Sequence, residues 1–272
     1  MNPRLFLKIA FPAILFLSFM TLVLPRNVAG IYTVNMMLVP LFIAFLLSLK
    51  VAFSYERELW KVFLYIAPFI LLLFLVNVGE FWTIVYYLFG QYPFISLIIA
   101  GIAYVFLIMS CINVLKITDF AEFHKKEWAA IFLMCVLSNY IIILYLLNYP
   151  IEFNAEGLTK IFFRIIDNAI VLMLLPILFL YRKQSLREKK ESITFTIIIA
   201  GIIISTIGDY VYEIFARVSH QELSAGFHTG TLLDSIYIFS YLLITIGLFV
   251  HLNYYKWTIG KIDLSKLDFK FN

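Results

Sequence analysis

The chain has 272 residues, 63% of them hydrophobic, 18% aromatic and only 14% charged. A soluble domain carries about a quarter of its residues as charged side chains, so this composition excludes a water-soluble globular enzyme and points to an all-α, polytopic membrane helical bundle. The formal charge of +4 is accounted for by membrane topology and anionic headgroups, so nucleic acid is not an expected partner.

A hydrocarbon core about 30 Å thick needs roughly 20 apolar residues per helix. Eight runs meet that length: 5–24, 29–49, 60–79, 94–115, 128–148, 161–181, 193–215 and 232–251. The first is longer than the apolar stretch of a signal peptide and no small-x-small cleavage site follows it, so a retained, lipid-facing helix is expected. The turn at Pro25 is short, which predicts that the second helix returns beside the first. Asn35 and Pro40 interrupt that second run and predict a local kink, which neighbouring helices in a membrane tolerate. Trp60 opens the third run as an interfacial aromatic, and Asn77, Gly79 and Glu80 close it. Residues 81–92 are aromatic and uncharged, which fits an outer interfacial segment or the continuation of a tilted helix.

Pro93 begins the fourth run. In the inner link after it, His124 stands among lysines, a solvated surface position. The fifth run carries Asn139, Tyr140 and Tyr145, and the sixth opens with Arg164, Asp167 and Asn168. Arg164 and Asp167 are three apart and can pair within one helix. The seventh and eighth runs are joined by an outer loop with Arg217, His220, Glu222 and His228, and residues 256–272 form a polar tail. Cys111 and Cys135 lie in separate apolar runs without a CxxC partner or a neighbouring histidine, as buried free thiols do.

The basic residues test the helix count. With eight crossings and both termini cytoplasmic, all but four of the 21 Lys and Arg fall on the inner side, and only Arg26, Lys160, Arg164 and Arg217 fall outside. That asymmetry is what the positive-inside rule requires, and seven crossings would strand a basic loop on the outer side. The expected organisation is an eight-helix transmembrane domain over 1–255 and a short cytoplasmic tail over 256–272.

Two runs contain acids that a membrane span does not need. Ionisable groups at membrane depth are costly and are functional candidates by default. Ser205, Gly208, Asp209 and Tyr212 share one helical face of the seventh run, and Asp234, Tyr237, Tyr241 and Thr245 share one face of the eighth. Asp209 and Asp234 are expected to share an outward-opening polar pocket, with Tyr212, Tyr237 and Tyr241 beside them. Asp167 and Glu213 are read as charges tolerated at helix ends. Glu80 invites the same reading, yet joins the candidate ligand-binding set as the acid that closes an outward helix in the first half of the chain.

The chain also compares with itself. Residues 60–115 run from Gly79 and Glu80 through an aromatic link to Gly101 and Tyr104; residues 192–251 run from Gly208 and Asp209 through a link to Asp234 and Tyr237. Both units are a helix with an acid at its outer end, a link and a returning helix, which suggests parallel repeats. The order Gly208-Asp209, Tyr212, a glycine-bearing loop, then Asp234, Tyr237 and Tyr241, with Trp60, Gly79, Glu80 and Trp82 in the first half, resembles the multi-pass membrane sensory domains that precede diguanylate cyclase and histidine kinase modules in bacterial and archaeal signalling proteins. The resemblance covers roughly half of the chain. It departs where Gly101 stands in place of an acid and where no output domain is expected after Lys256, so it implies a sensor that signals through a separate cytoplasmic protein. The bilayer, that protein and a second copy of the chain are the partners to consider.

His220 and His228 are the only metal candidates, and their spacing lacks the HExxH pattern that puts ligands on one face. No GxSxG, HExxH or phosphate-cradling glycine loop is present, and no cofactor is expected. An intramembrane lipid hydrolase of the lysoplasmalogenase type and a small-solute transporter stand as alternatives to the sensor, which is expected to lack catalytic residues of its own.

Overall fold

In a bilayer each backbone N–H and C=O must find its partner within its own segment, so an apolar run of this length becomes a helix. The computed structural model describes residues 3–54, 58–81, 93–118, 123–148, 155–186, 192–218 and 231–259. Among them are eight helices and no strand: α1 (Pro3–Val23), α2 (Arg26–Ala52), α3 (Glu58–Phe81), α4 (Pro93–Ile117), α5 (Lys125–Asn148), α6 (Ala155–Leu186), α7 (Ser192–Val218) and α8 (Leu232–Ile259). Seven of them, all but α5, are long and apolar enough over their described residues to cross a membrane. The protein is a multi-pass, membrane-type helical bundle.

Each helix corresponds to one apolar run, with shifted ends. α6 and α8 continue past the runs 161–181 and 232–251, because a charge at the interface ends a hydropathy window without ending the backbone hydrogen-bond ladder. α2 stays helical through Pro40. The aromatic segment 82–92, the loop that holds His220 and His228, and the tail from residue 260 lie outside the described residues.

Six helices close a ring in the order α2, α3, α4, α6, α7, α8 and back to α2. All six contribute to one buried apolar cluster, with Leu41, Phe63, Leu107, Ile177, Ile198 and Ile244 among its fully enclosed side chains. α1 and α5 contribute nothing to that cluster. α1 packs mainly along the outside of α8, where Phe6 meets Phe249 at 5.8 Å between ring centroids and Phe11 meets Phe239 at 5.9 Å. Its contact with the expected neighbour α2 is slight and lies near the turn, where Thr21 Oγ1 and Thr33 Oγ1 are 2.8 Å apart and Tyr32 donates to the Leu17 carbonyl. α5 packs against α6 through Phe123, Ile131 and Leu180, a small cluster separate from the main one.

Lipid tails are as apolar as leucine, so close van der Waals packing and interhelical hydrogen bonds hold such a ring together. The tightest seam joins α7 to α8. A Cβ at Gly201 would lie 2.7 Å from Ile244 Cγ1 and 3.0 Å from the Ser240 carbonyl, and one at Gly247 would lie 2.6 Å from Ile198 Cγ1. These glycines let the two backbones approach. Hydrogen bonds supplement the packing: Ser110 donates to the Val62 carbonyl between α4 and α3, and Thr245 on α8 reaches the Pro40 carbonyl on α2 at 2.9 Å. At the far end of the α7–α8 seam His251 Nδ1 meets Thr194 Oγ1 at 2.8 Å, packed among Phe63 and Phe195.

Candidate functional site: a buried carboxylate and phenol network

α4, α6, α7 and α8 bring polar side chains together inside the ring. Tyr237 on α8 donates its hydroxyl hydrogen to Asp209 Oδ1 on α7 at 2.6 Å. Gly208 makes this possible: a Cβ there would stand 3.0 Å from Tyr237 Cε1 and 3.2 Å from Cζ, so only glycine leaves the ring room to lie against α7. Tyr241, one turn further along α8, holds its ring tilted at 34° and 6.0 Å from that of Tyr237 and is itself buried in the main cluster.

On the other side of Asp209 stands Tyr104 of α4. Its hydroxyl lies 3.5 Å from Asp209 Oδ2 and donates at 2.5 Å to Asp167 Oδ1 on α6. Phe163 packs against the Tyr104 ring at 5.6 Å between centroids. Asp167 is fully enclosed, and its Oδ2 is 2.9 Å from Arg164 Nη1, one turn earlier on α6. The network therefore runs from Tyr237 through Asp209 and Tyr104 to Asp167 and Arg164. Two carboxylates, two phenols and a guanidinium join four helices.

Of the residues singled out from sequence, Tyr237 lies against Asp209 and Tyr241 packs beside Tyr237. Asp234 does other work: its Oδ2 accepts the Thr231 N–H at 2.8 Å, and its own N–H reaches Thr231 Oγ1 at 3.3 Å. This reciprocal pair is a capping box at the start of α8, and the residue that completes the site around Asp209 is Asp167. Tyr212 and Glu80 belong to α7 and α3, but their side chains, like all of His220 and His228, lie outside the described residues.

Sequence reasoning had set Asp167 aside as one half of an intrahelical pair. The pair with Arg164 exists, but it occupies one carboxylate oxygen and leaves the other for Tyr104. Tyr104 carried a signal of its own, since the internal repeat sets it in register with Tyr237 and both hydroxyls address Asp209.

Behind the network a second polar cluster faces outward. Asn168, next to Asp167 on α6, accepts a hydrogen bond from Ser138 through its Oδ1 and donates through Nδ2 to Asn139 Oδ1 at 3.0 Å. Both partners are on α5. Among the described residues no group of three or more His, Cys, Asp and Glu side chains could hold a metal ion.

Comparison with known proteins adds no identity to this geometry. No family model, no curated protein and no solved structure matches the chain.

Proposed function

We propose that the protein is a membrane-embedded signal-transducing module, with the network around Asp209 as its sensing element. The observation that carries this is the meeting of polar side chains from four helices: Tyr104 on α4 donates to Asp167 on α6, Tyr237 on α8 donates to Asp209 on α7, and the Tyr104 hydroxyl lies 3.5 Å from Asp209 between the two pairs. Two arrangements of such a network are two packings of the ring, and a stimulus that binds them unequally shifts the balance between them. α8 transmits the change: it continues without a break from Tyr237 to Ile259, locked to α7 by the glycine seam and to α2 through Thr245.

In this reading the eight helices all cross the cell membrane, α5 included, with both termini cytoplasmic. The charge distribution supports that topology, because Arg164 then stands on the outer side and nearly all other basic residues on the inner side. In this topology Asp209 and the enclosed Asp167 lie in the outer third, the side from which an external or membrane-dissolved stimulus would act on the network. The inner ends of the helices act on a separate cytoplasmic signalling protein. The resemblance of the 192–251 hairpin to membrane sensory domains supports the same role.

The test uses spin labels at Phe53→Cys and Leu186→Cys, exposed positions at the inner ends of α2 and α6, with Cys111 and Cys135 replaced by alanine. Asp209→Asn keeps the shape of the side chain and removes its charge. A sensing element predicts a shifted distribution of distances between the labels in folded protein in lipid nanodiscs. An unchanged distribution would reduce the network to a structural tie and overturn the proposal.

A further inference from the structure

Among the described residues α5 lies outside the ring, against α6. Its described outer surface is broadly exposed, with Trp128, Phe132, Leu133 and Leu137 all facing away from the ring. Among the described residues its substantial packing is with α6 alone, and much of that attachment is polar. Asn168 engages Ser138 and Asn139 with the two ends of one carboxamide, and Asn139 in turn donates to the Cys135 carbonyl on its own helix at 2.8 Å. Near the other end of α6, Lys183 Nζ pairs with Glu127 Oε1 at 2.7 Å. Between these ties lies only the small cluster of Phe123, Ile131 and Leu180.

Asn168 is the chain neighbour of Asp167. Consecutive residues on a helix point about 100° apart, so α6 presents Asp167 to Tyr104 inside the ring and Asn168 to α5 outside it. The two side chains are fixed to one stiff backbone, and neither set of hydrogen bonds can be exchanged for water in a bilayer. A turn of α6 that alters the Asp167 contacts therefore carries Asn168 through the same angle.

We propose that α6 is a two-sided joint, and that α5 is the arm that moves when the Asp167 and Asp209 contacts change. This rests on the signalling role proposed above and names the element that carries its output. The ring helices are held by neighbours on both sides, whereas among the described residues α5 has one substantial attachment, to α6, and follows it. With helix axes about 8–10 Å apart, a rotation of α6 by roughly 20° sweeps a helix fixed to it by about 3 Å.

Spin labels at Phe53→Cys on α2 and Trp128→Cys on α5, in the same cysteine-free background, measure that sweep. Asp167→Asn is expected to shift the distance by about 3 Å, and adding Asn168→Ala and Glu127→Ala, which remove both polar ties between α5 and α6, is expected to abolish the shift. The label pair at positions 53 and 186 reports whether the ring is intact and whether it responds. If that pair responds to Asp167→Asn while the 53 and 128 pair does not, the signalling role survives and the α5 arm is wrong. A shift that persists when both polar ties are removed also overturns the joint. If neither pair responds, the signalling role fails and the arm with it.

Discussion

The α7–α8 seam should tolerate no side chain at Gly201, whereas Gly101, in the middle of an equally apolar helix, should welcome one. An alanine Cβ at position 201 would stand 2.7 Å from Ile244 Cγ1, 3.0 Å from the Ser240 carbonyl oxygen and 3.1 Å from the Ile244 amide nitrogen. Two of these three are backbone atoms, so no rotamer change relieves the crowding and the helices have to part. Overpacking of this kind costs about 1–3 kcal/mol, offset by the ~0.5–1 kcal/mol that a helix gains when glycine becomes alanine. The net expectation for Gly201→Ala is a loss of about 1–2 kcal/mol. At Gly101 an added Cβ meets nothing within 4 Å, so only the gain of ~0.5–1 kcal/mol remains. The two variants should therefore differ by about 2 kcal/mol, or roughly thirtyfold in the unfolding constant. Reversible unfolding in mixed micelles, followed by near-ultraviolet circular dichroism, measures the difference. Equal stability of the two variants, or a Gly201→Ala protein as stable as the parent, would refute close packing at this seam.

Three further expectations are independent of that seam. Thr231→Ala removes one half of the capping box at the start of α8, which should cost about 0.5–2 kcal/mol and raise amide exchange over residues 232–237; unchanged protection there would mean that Thr231 does not cap the helix. The hydrogen bond from Lys183 holds the Glu127 carboxyl below the usual carboxylate range. The Glu127–Lys183 tie is therefore complete at neutral pH, above the unfolded carboxyl's ordinary value, and is lost as the pH falls through the lowered folded value. Exchange at the start of α5 should accordingly rise on acidification in the parent and be insensitive to that pH change in Glu127→Gln, whereas equal acid sensitivity of the two would place the effect elsewhere. Reporter fusions after Arg187 and after Asn272 should read cytoplasmic and one after Gly226 external, and a cytoplasmic signal at Gly226 would remove the eight-crossing topology.

The helices were legible because a bilayer imposes one strong length rule, and the eight runs became α1 to α8. Their neighbours were not. The short turn at Pro25 suggested α1 beside α2, yet α1 lies mainly along α8, since packing in lipid follows the fit of small and large side chains instead of hydrophobic contrast. Within the site, Asp209 and Tyr237 stood out because both are polar on apolar faces. Asp234 stood out for the same reason, and its Oδ2 caps the start of α8. The spacing Thr231-x-x-Asp234 was the sign of a helix start, and the cost of an acid at depth drew attention away from it. Asp167 was hidden by an explanation that was correct as far as it went, because pairing with Arg164 accounts for one of its oxygens and sequence spacing does not reveal the approach of Tyr104 from another helix.

The closure of the ring has a consequence for biogenesis. Helices of a membrane protein enter the bilayer as the chain emerges and associate afterwards, so the order of synthesis limits which contacts are available. α1 is made first, but its main partner α8 follows all the other described helices. The hydrogen bond from Thr245 to Pro40 spans 205 residues of chain. Until α8 arrives, α2 has no neighbour on its open side, and most of the surface that α1 will bury faces lipid. Nascent chains arrested before residue 231 should therefore hold a loose open array, exposed to quality-control proteases. Insertion of α8 completes the packing of α1 and α2 as well as that of α7.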